Sequence, residues 1–486
     1  MNKPIRVVSV FCLVLFLALL INSTYLMYVR ADSLSDDPRN RRIIPAAFSR
    51  ERGAILVGKD AIARSVPSDD KYKYQRTYSQ PFKYAPITGY FSWYGQTGVE
   101  ASQNAVLAGD DSRLFVTRLV DMLSNTDPQG GNVQLTTDPA AQDAAWEGLE
   151  ALPGDAQGAV VALEPTTGRV LAMASTPTFD PNTFASHDFE AVADHSKELN
   201  ADPSQPLINR AIGTTLPPGS TFKLVTAAAA IESGNYDADS QVPGGFRFKL
   251  PQSTTSVPNY DGSNCGGRRI TLTEALQVSC NVTFLSLANE LGTEAMADQA
   301  EAFGFNDTSL EDLGGQAESL YPRDMDQPQT ALSGIGQASV TATPLQMAMV
   351  AAAIANDGDV MRPYVVDEVR AANLSVLDRT DPQSISEAIS DTTAEELTTM
   401  MVATVDSGTA TPAQIPGIKV AGKTGTAQST ADRPPYAWFV SFAPADDPQV
   451  AVAVLVESSD TSRSEIGGGR LGGPIAKAVM EAVINQ

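Results

Sequence analysis

The 486-residue chain is 43% apolar and carries a formal net charge of −23, from 34 Lys and Arg against 57 Asp and Glu. This composition supports two or three domains with hydrophobic cores and excludes a disordered chain. The acidic balance excludes nucleic acid as a partner. Only two histidines and three cysteines occur, without metal-ligand spacing, so we expect no metal and no cofactor. Because no G-x-S-x-G motif occurs either, a nucleophilic serine would need a base other than histidine.

The N-terminus predicts a membrane anchor. Lys3 and Arg6 precede an uncharged run over residues 7–29, which as a helix reaches roughly 34 Å and can span a hydrocarbon core of about 30 Å. We therefore expect residues 1–6 to be a cytoplasmic tail, and the rest of the chain to lie outside the cell membrane because the positive end stays inside. A cleaved signal peptide is the alternative, since the strongly apolar part, 10–21, is short.

If the chain is exported, two of its three cysteines can form a disulfide. Cys12 lies within the apolar segment, so Cys265 and Cys280 are the only pair available in a compartment that permits disulfides. A bond between them would close a loop of about 15 residues, which the chain-entropy model values at about 3 kcal/mol. Two independent thiols remain the alternative.

Residues 30–150 are predicted to form an N-terminal pedestal and interaction domain. A polar stalk, 31–42, precedes a mixed region with strand-like pieces such as RGAILVG, 52–58. The stretch NTDPQGGN, 125–132, is typical of a linker. Threonines and an aspartate before an Ala-rich amphipathic run then predict a capped helix that starts near Asp138.

Residues 151–486 are predicted to form a second domain of the α/β class. Two apolar strands around Glu-Pro-Thr-Thr-Gly predict a hairpin over 158–175. A helix is predicted over 343–358, ending at Gly358. The C-terminal third returns to strands and ends in a helix from about Pro474. Strands at both ends with helices between them predict one antiparallel sheet covered by helices.

The segment PPGSTFK, 217–223, carries the first chemical signal. In S-x-x-K at a helix start, the hydroxyl of Ser220 and the amine of Lys223 share one face, one turn apart and within hydrogen-bond reach. Lysine can act as the base only if its amine is partly neutral. Burial and a second nearby cation would lower its pKa, so the pattern predicts another lysine in the site.

Single matches to these short patterns carry little weight. S-x-x-K recurs as SDDK at 68–71, in an acidic loop. S-x-N occurs three times, at 102–104, 233–235 and 279–281. K-T-G occurs once, at 423–425, in a strand pattern that Thr426 continues. The informative signal is the order: S-x-x-K, then S-C-N 59 residues later, then K-T-G-T after a further 144 residues.

This constellation resembles the penicillin-recognising serine acyltransferases, the superfamily of penicillin-binding proteins and serine β-lactamases. Further segments are similar to the flanking signatures of class B penicillin-binding proteins, and with them the resemblance covers nearly the whole chain. These segments are RGAI (52–55), YGQTGVE (94–100), LTTDPAAQ (135–142), NRA (209–211), IGQASVTATPLQMA (335–348) and AWFVSFAP (437–444). The resemblance implies the penicillin-binding transpeptidase fold, an antiparallel sheet flanked by helices with a helical subdomain.

The resemblance also implies catalytic roles. Ser220 would attack the carbonyl of the donor peptide, Lys223 would accept its proton, and Lys423 would supply the second cation. Ser279 would relay protons toward the leaving D-alanine. The Asn281 amide would hold the substrate and orient Lys223.

Substrate-binding roles follow from the same resemblance. Thr424 and Thr426 would bind the terminal carboxylate of the donor, and the strand around Gly425 would pair with the extended peptide. The N–H groups of Ser220 and Thr426 would form the oxyanion hole. The S-C-N motif departs from the S-D-N of many relatives, so Cys280 supplies no carboxylate there. A disulfide would instead fix the loop that presents the motif.

The implied activity is a peptidoglycan D,D-transpeptidase that β-lactams acylate, acting in growth or division. Its partners would be stem peptides, β-lactams, the membrane and other cell-wall or division proteins. About 120 residues separate the anchor from the catalytic domain, too few for an added glycosyltransferase. The alternatives are a D,D-carboxypeptidase or β-lactamase and, in another class, a non-enzymatic scaffold of the cell-wall machinery.

Overall fold

The computed structural model describes residues 2–30, 48–115, 123, 129–260, 262–427 and 434–485. The predicted stalk lies outside these residues, and so does the 125–128 part of the predicted linker. The strands, in chain order, are β1 Ile55–Val57, β2 Asp60–Pro67, β3 Tyr74–Tyr78, β4 Phe91–Ser92, β5 Gly95–Gln96, β6 Asn132–Leu135, β7 Gln157–Leu163, β8 Val170–Thr176, β9 Gln241–Pro243, β10 Arg247–Lys249, β11 Ser256–Pro258, β12 Arg269–Thr271, β13 Asp359–Met361, β14 Val366–Arg370, β15 Val376–Arg379, β16 Ser384–Glu387, β17 Ala421–Ala427, β18 Tyr436–Ala443 and β19 Val450–Ser458.

The helices of the two domains are mostly short before the second domain and longer within it. They are Pro81–Thr88, Gly98–Ser102, Asn104–Leu107, Pro139–Glu150, Pro181–Phe184, Phe189–Ala201, Arg210–Gly213, Lys223–Glu232, Leu272–Gln277, Asn281–Ala302, Gln327–Ser333, Pro344–Ala355, Asp391–Ser407 and Gly468–Ile484. Single 3₁₀ turns occur as well, of which Gly219–Phe222 bears on the active site.

The N-terminal apolar segment is helical, as predicted. An α-helix over Asn2–Thr24 continues into a π-helical turn over Tyr25–Val29. Its apolar side chains are exposed, with no protein core against them. Within the described residues, Lys3–Val29 is the one helix long and apolar enough to cross a membrane.

The second domain is built on a five-stranded sheet with the order β17-β18-β19-β7-β8. Every neighbouring pair is antiparallel, which confirms the predicted sheet and the predicted β7–β8 hairpin. The strands are buried on both faces, as expected where helices cover both sides. Helices Pro139–Glu150 and Gly468–Ile484 cover one face, and helices Lys223–Glu232 and Pro344–Ala355 lie on the other.

Local sequence signals place some helix ends well and others badly. Asp138 caps the helix Pro139–Glu150 as predicted, because its Oδ1 accepts from the N–H of Ala141 at 2.8 Å. The helix predicted over 343–358 ends earlier, at Ala355.

The last helix was predicted to start near Pro474, and this is wrong. It begins at Gly468 and holds Pro474 in its second turn. A Cβ at Gly468 would lie 1.8 Å from the carbonyl oxygen of Trp438, so a glycine is needed where the helix start packs against β18. That contact joins residues that are distant in the sequence, so the local sequence pattern could not predict where the helix starts.

Two elements pack against the domain on the other side of the predicted boundary at residue 150. The N-terminal sheet has the order β15-β14-β6-β1-β2-β3, and β14 pairs antiparallel with β6, so a hairpin from the second domain completes the pedestal sheet. Conversely, the helix Pro139–Glu150 packs on β8 of the second domain. Elements from both sides of the predicted boundary therefore pack against one another.

A buried ion cluster holds the pedestal together. The carboxylate of Glu100 is fully buried and accepts from Arg52 Nε and from Arg76 Nε, both at 2.6 Å. The hydroxyl of Tyr78 also donates to it, at 3.1 Å. Burial opposes ionisation of Glu100, but the charges of Arg76 and Arg52 outweigh it and hold its pKa below the usual value. Arg52 and Glu100 belong to the RGAI and YGQTGVE segments, which therefore have a structural role.

A buried carboxylate marks the junction between the two sheets and predicts a pH effect on stability. Asp312 Oδ2 accepts from the N–H groups of Val365 and Val366, at 2.8 and 2.7 Å, beside the start of β14. Burial raises the pKa of Asp312 to about 6. Because the folded state favours its protonated form, Asp312 favours folding at acid pH, and this contribution is lost as the pH rises from about 4 to about 6.

We expect Asp312→Asn to gain stability relative to the unmodified chain as the pH rises from 4 to 7. The gain is about 2 to 3 kcal/mol, since asparagine stays neutral and one pKa unit corresponds to about 1.4 kcal/mol. Urea denaturation of both proteins at a series of pH values measures it. A difference between the two that does not change with pH would contradict the prediction.

Candidate active site

Ser220 lies in a tight turn that packs against β17. It belongs to the 3₁₀ turn Gly219–Phe222, which leads directly into the buried helix Lys223–Glu232. The turn is tied to a neighbouring segment, because the N–H of Gly219 donates to the carbonyl of Gly336 at 3.0 Å. Ser220 itself is half-buried, whereas the next residues of the turn are buried. The predicted helix-start position of the serine is therefore observed.

The amine of Lys223 is completely buried, and all three of its hydrogen-bond partners belong to the S-C-N motif. Its Nζ donates to the Ser279 carbonyl oxygen at 2.7 Å, to Ser279 Oγ at 3.2 Å and to Asn281 Oδ1 at 2.8 Å. No hydrogen bond joins it to Ser220 in this conformation, so the expected direct contact within S-x-x-K is not formed here. Catalytic hydrogen bonds are often formed only once substrate is bound.

The expected second lysine is present in the site. Lys423, on the central part of β17, is also completely buried. Its Nζ donates to Ser279 Oγ at 2.9 Å and to the carbonyl oxygen of Thr424 at 2.9 Å. Two lysine amines therefore share one serine hydroxyl, which brings together three motifs that are far apart in the sequence.

Burial changes the protonation of both amines. Burial, followed by the charge of Lys423, lowers the pKa of Lys223 well below its ordinary value. Burial also lowers the pKa of Lys423 to about 7. Lys223 is thus the stronger candidate for a neutral amine at pH 7, which a proton acceptor must be.

Together with the catalytic roles that the resemblance implies, these pKa shifts predict a bell-shaped pH dependence for acylation of Ser220. The rate should fall at acid pH as Lys223 becomes protonated, and fall above about pH 7 as Lys423 loses the charge that attracts an anionic substrate. The second-order rate constant with benzylpenicillin, measured from pH 4 to pH 10, tests this. A rate that rises monotonically up to pH 10 would contradict the role of the Lys423 charge.

The S-C-N motif is presented by the start of a long helix. Ser279 adopts a left-handed conformation, with φ of 57°, and Asn281 opens the helix Asn281–Ala302. Cys280 is bonded to Cys265 in the structure. The disulfide attaches the central residue of the motif to the loop that precedes β12, which decides between the two alternatives that the sequence left open.

The K-T-G-T segment forms the edge strand of the sheet next to the serine turn, and its side chains are mostly buried. β17 pairs with β18 on one side and with no other strand of the described residues. A Cβ at Gly425 would lie 3.0 Å from the carbonyl oxygen of Pro218 and 2.9 Å from Trp438 Cβ, so only glycine lets the strand approach the turn this closely. The hydroxyl groups of Thr424 and Thr409 are 2.7 Å apart.

The repeated short motifs fall elsewhere and have ordinary structural environments. In the first, Asn104 Oδ1 accepts from Arg52 within the pedestal. In the second, Ser233 and Asn235 interact with each other at the end of the helix that Lys223 begins. The structure therefore brings together the set selected from order and context, and leaves the chance matches outside.

Sequence reasoning missed one buried polar residue of the site, Asn259. Its Oδ1 accepts from the N–H groups of Asn281 and Val282, at 3.0 and 3.3 Å. An asparagine in the stretch VPNYDG is typical of a turn, and no signal in the sequence links it to the S-C-N motif 20 residues later.

A serine at a helix start, with two buried lysines that share a second serine, defines the class of penicillin-recognising serine acyltransferases. The chain belongs to the penicillin-binding protein transpeptidase family. The family model described as penicillin-binding protein transpeptidase domain matches residues 158–481. A second model, penicillin-binding protein A dimerisation domain, matches residues 52–133. The predicted resemblance is confirmed.

The relatives agree with this membership over the whole chain. The chain is 43% identical to the peptidoglycan D,D-transpeptidase PbpA of Mycolicibacterium smegmatis, covering 100% of both proteins. It is 40% identical to PbpA of Mycobacterium tuberculosis, covering 100% of this chain and 99% of that one. The solved ceftriaxone acyl-enzyme complex of penicillin-binding protein A from M. tuberculosis matches with a TM-score of 0.87, covering 90% of this chain and 100% of that one.

Proposed function

We propose that this protein is a peptidoglycan D,D-transpeptidase that cross-links stem peptides through an acyl-enzyme on Ser220, and that β-lactams acylate the same serine. The observation that carries the proposal is the pair of buried amines, Lys223 and Lys423, on the single hydroxyl of Ser279. The mycobacterial relatives named D,D-transpeptidase, and the β-lactam acyl-enzyme structure, support it.

In the first half-reaction, Ser220 Oγ attacks the carbonyl carbon of the penultimate D-alanine, and the bond to the terminal D-alanine breaks. The neutral amine of Lys223 accepts the hydroxyl proton. Ser279 Oγ, which lies between the two amines, passes a proton to the departing nitrogen, so that D-alanine leaves as an amine. Burial of Lys223 supports the role of base because it favours the neutral amine.

In the second half-reaction, an amine of a neighbouring stem peptide attacks the ester carbonyl of the acyl-enzyme. A peptide bond forms, Ser220 Oγ leaves, and the proton of the attacking amine returns to the serine by the reverse path through Lys223. The net reaction exchanges one peptide bond for another, which requires no cofactor or external energy source. Water in place of the amine would give the carboxypeptidase product.

The edge strand β17 supports the proposed substrate binding. Its unpaired edge can accept an extended peptide by backbone hydrogen bonds, as in strand addition. Thr424 and Thr426 would hold the terminal carboxylate of the donor peptide. Lys423, in its charged form, would attract the same carboxylate. The N–H groups of Ser220 and Thr426 would bind the oxyanion, an interaction worth roughly 2.7–4 kcal/mol per donor.

We further propose that Lys3–Val29 anchors the chain with the catalytic domain outside the cell, because Lys3 and Arg6 precede the apolar run. The pedestal would position the active site away from the membrane and contact cell-wall or division proteins. The match of residues 52–133 to a dimerisation-domain model supports a role of the pedestal in protein association.

The intact mass of the detergent-solubilised chain after brief exposure to benzylpenicillin tests the proposal. We expect one adduct per chain that persists for hours and is absent in Ser220→Ala. Ser233→Ala is the matched control, since Ser233 lies at the far end of the same helix and should leave the adduct unchanged. Loss of the adduct within seconds, with turnover of the drug, would make the protein a β-lactamase. No adduct at all would favour a scaffold.

A further inference from the structure

Asn259 is a buried polar residue between the start of the helix Asn281–Ala302 and the loop that precedes β12. It is 4% exposed and follows β11 directly. Its side chain uses both ends of its amide. The Oδ1 atom accepts from the helix start, and the Nδ2 atom donates to the carbonyl oxygens of Gly245 at 2.8 Å and Ser263 at 2.6 Å. A buried amide with four partners is a fixed connection between the segments that it joins.

The helix that Asn259 contacts has no cap of its own. The residue at its N-cap position is Cys280, whose side chain makes no capping hydrogen bond. The first N–H groups of a helix lack intrahelical partners. Asn259 Oδ1 supplies the partner for the N–H groups of Asn281 and Val282, so it acts as a cap from a distant part of the chain.

This cap acts on the residue that holds the lysine amine. Asn281 donates from Nδ2 to the carbonyl of Pro258 at 3.0 Å, and its Oδ1 accepts from Lys223 Nζ at 2.8 Å. The backbone and the side chain of Asn281 are thus both fixed by the segment that contains Asn259. Two hydrogen bonds, through Asn281, separate Asn259 from the Lys223 amine.

We propose that Asn259 is a positioning residue for the acylation of Ser220: by capping the helix Asn281–Ala302, it holds Asn281 in the place that keeps Lys223 directed into the site. The proposal rests on the proposed function. Asn259 does not contact the nucleophile. Its effect passes through Asn281. The Cys265–Cys280 bond attaches the same loop beside it, with Cys280 Sγ 3.8 Å from Asn259 Oδ1.

The test compares acylation of the full chain in detergent by benzylpenicillin in three variants. We expect Asn259→Ala to lower the first-order acylation step by about 10-fold to 100-fold, the range for a displaced catalytic group, with little change in the affinity of the initial complex. Asn132→Ala is the matched control. Asn132 is 7% exposed, and its amide accepts from Ala54 and donates to Ala371, in the pedestal sheet. It should lose stability and retain the acylation rate.

The pH profile separates positioning from general destabilisation. Without the cap, Lys223 loses the Asn281 acceptor that stabilises its charged form, so the acid limb of the profile should move to lower pH. Asn259→Asp keeps the acceptor for the helix start and adds a negative charge, but it loses the donor to the carbonyl oxygens of Gly245 and Ser263. It should recover part of the rate and move the acid limb to higher pH. The one charged side chain in the described residues that shifts the pKa of Lys223 electrostatically is Lys423.

Each outcome decides the proposal. An Asn259→Ala rate equal to that of the unmodified chain would overturn it, and so would an equal loss in Asn132→Ala. If Asn259→Ala does not fold, Asn259→Asp decides, and an unmoved acid limb would overturn the proposal. Failure of the unmodified chain to form any adduct would instead overturn the proposed function.

Discussion

Replacement of Lys223 by arginine is expected to lower the rate constant for acylation by benzylpenicillin by about 10²-fold to 10⁴-fold, the usual contribution of a general base. Arginine keeps the hydrogen-bond donors, but its guanidinium stays charged and does not lose a proton in proteins. The site then has donors for Ser279 and Asn281 and no base. Comparison with an uncharged replacement then separates the loss of the base from the added charge.

Two further variants make this result specific. Because Lys223 is fully buried and arginine is larger, Lys223→Met provides an uncharged replacement of similar length, and it should lose the same rate. Lys83→Arg is the control: the largely buried Lys83 pairs with Asp143 on the helix Pro139–Glu150 and should leave acylation unchanged. Acylation of Lys223→Arg within about 10-fold of the unmodified rate would show that another group accepts the proton.

Much of the site was predictable because its signals are local. Ser220 and Lys223 lie within one turn of each other, and Lys423 and Gly425 lie in one strand pattern that Thr426 continues. A second lysine was predictable because a lysine acts as a base only when its pKa is lowered, and a single exposed amine stays protonated. The order of the motifs separated S-C-N from the two other S-x-N matches.

The parts that sequence reasoning missed depend on contacts between distant segments. The hairpin of β14 and β15 joins the pedestal sheet through β6, more than 200 residues earlier in the chain. The last helix starts at Gly468 because of a backbone contact with β18. Asn259 caps a helix to which it does not belong. In each case the contacting segment is too far away in the sequence for a local sequence pattern to include it.

The expected Ser220–Lys223 contact shows a different limit. Spacing places both side chains on one helix face, but a turn of 3₁₀ geometry precedes the helix, and better acceptors surround the amine. The buried amine of Lys223 turns toward the carbonyl and amide oxygens that satisfy its N–H groups. A pattern states which groups are near one another, and competition among acceptors decides which hydrogen bonds form.

The second large effect is expected in the pedestal, where Glu100→Gln should destabilise the fold by about 3–5 kcal/mol, the cost of breaking a buried ion pair. Glutamine has nearly the shape of glutamate, so packing is conserved. The substitution leaves two buried guanidinium groups, those of Arg52 and Arg76, without a compensating charge. The effect should appear as a lower urea midpoint at pH 7 with the same slope.

Glu301→Gln provides the matched control. Glu301 also accepts from an arginine, Arg323, but the pair is exposed, and exposed pairs contribute little. Acylation of Ser220 in the folded fraction of Glu100→Gln should match the unmodified chain, because Glu100 contacts the pedestal and none of the catalytic motifs. A loss below about 1 kcal/mol would mean that water or a rearranged Tyr78 compensates the arginines. A slowed acylation would instead mean that the pedestal sheet, through β14, controls the geometry of the active site.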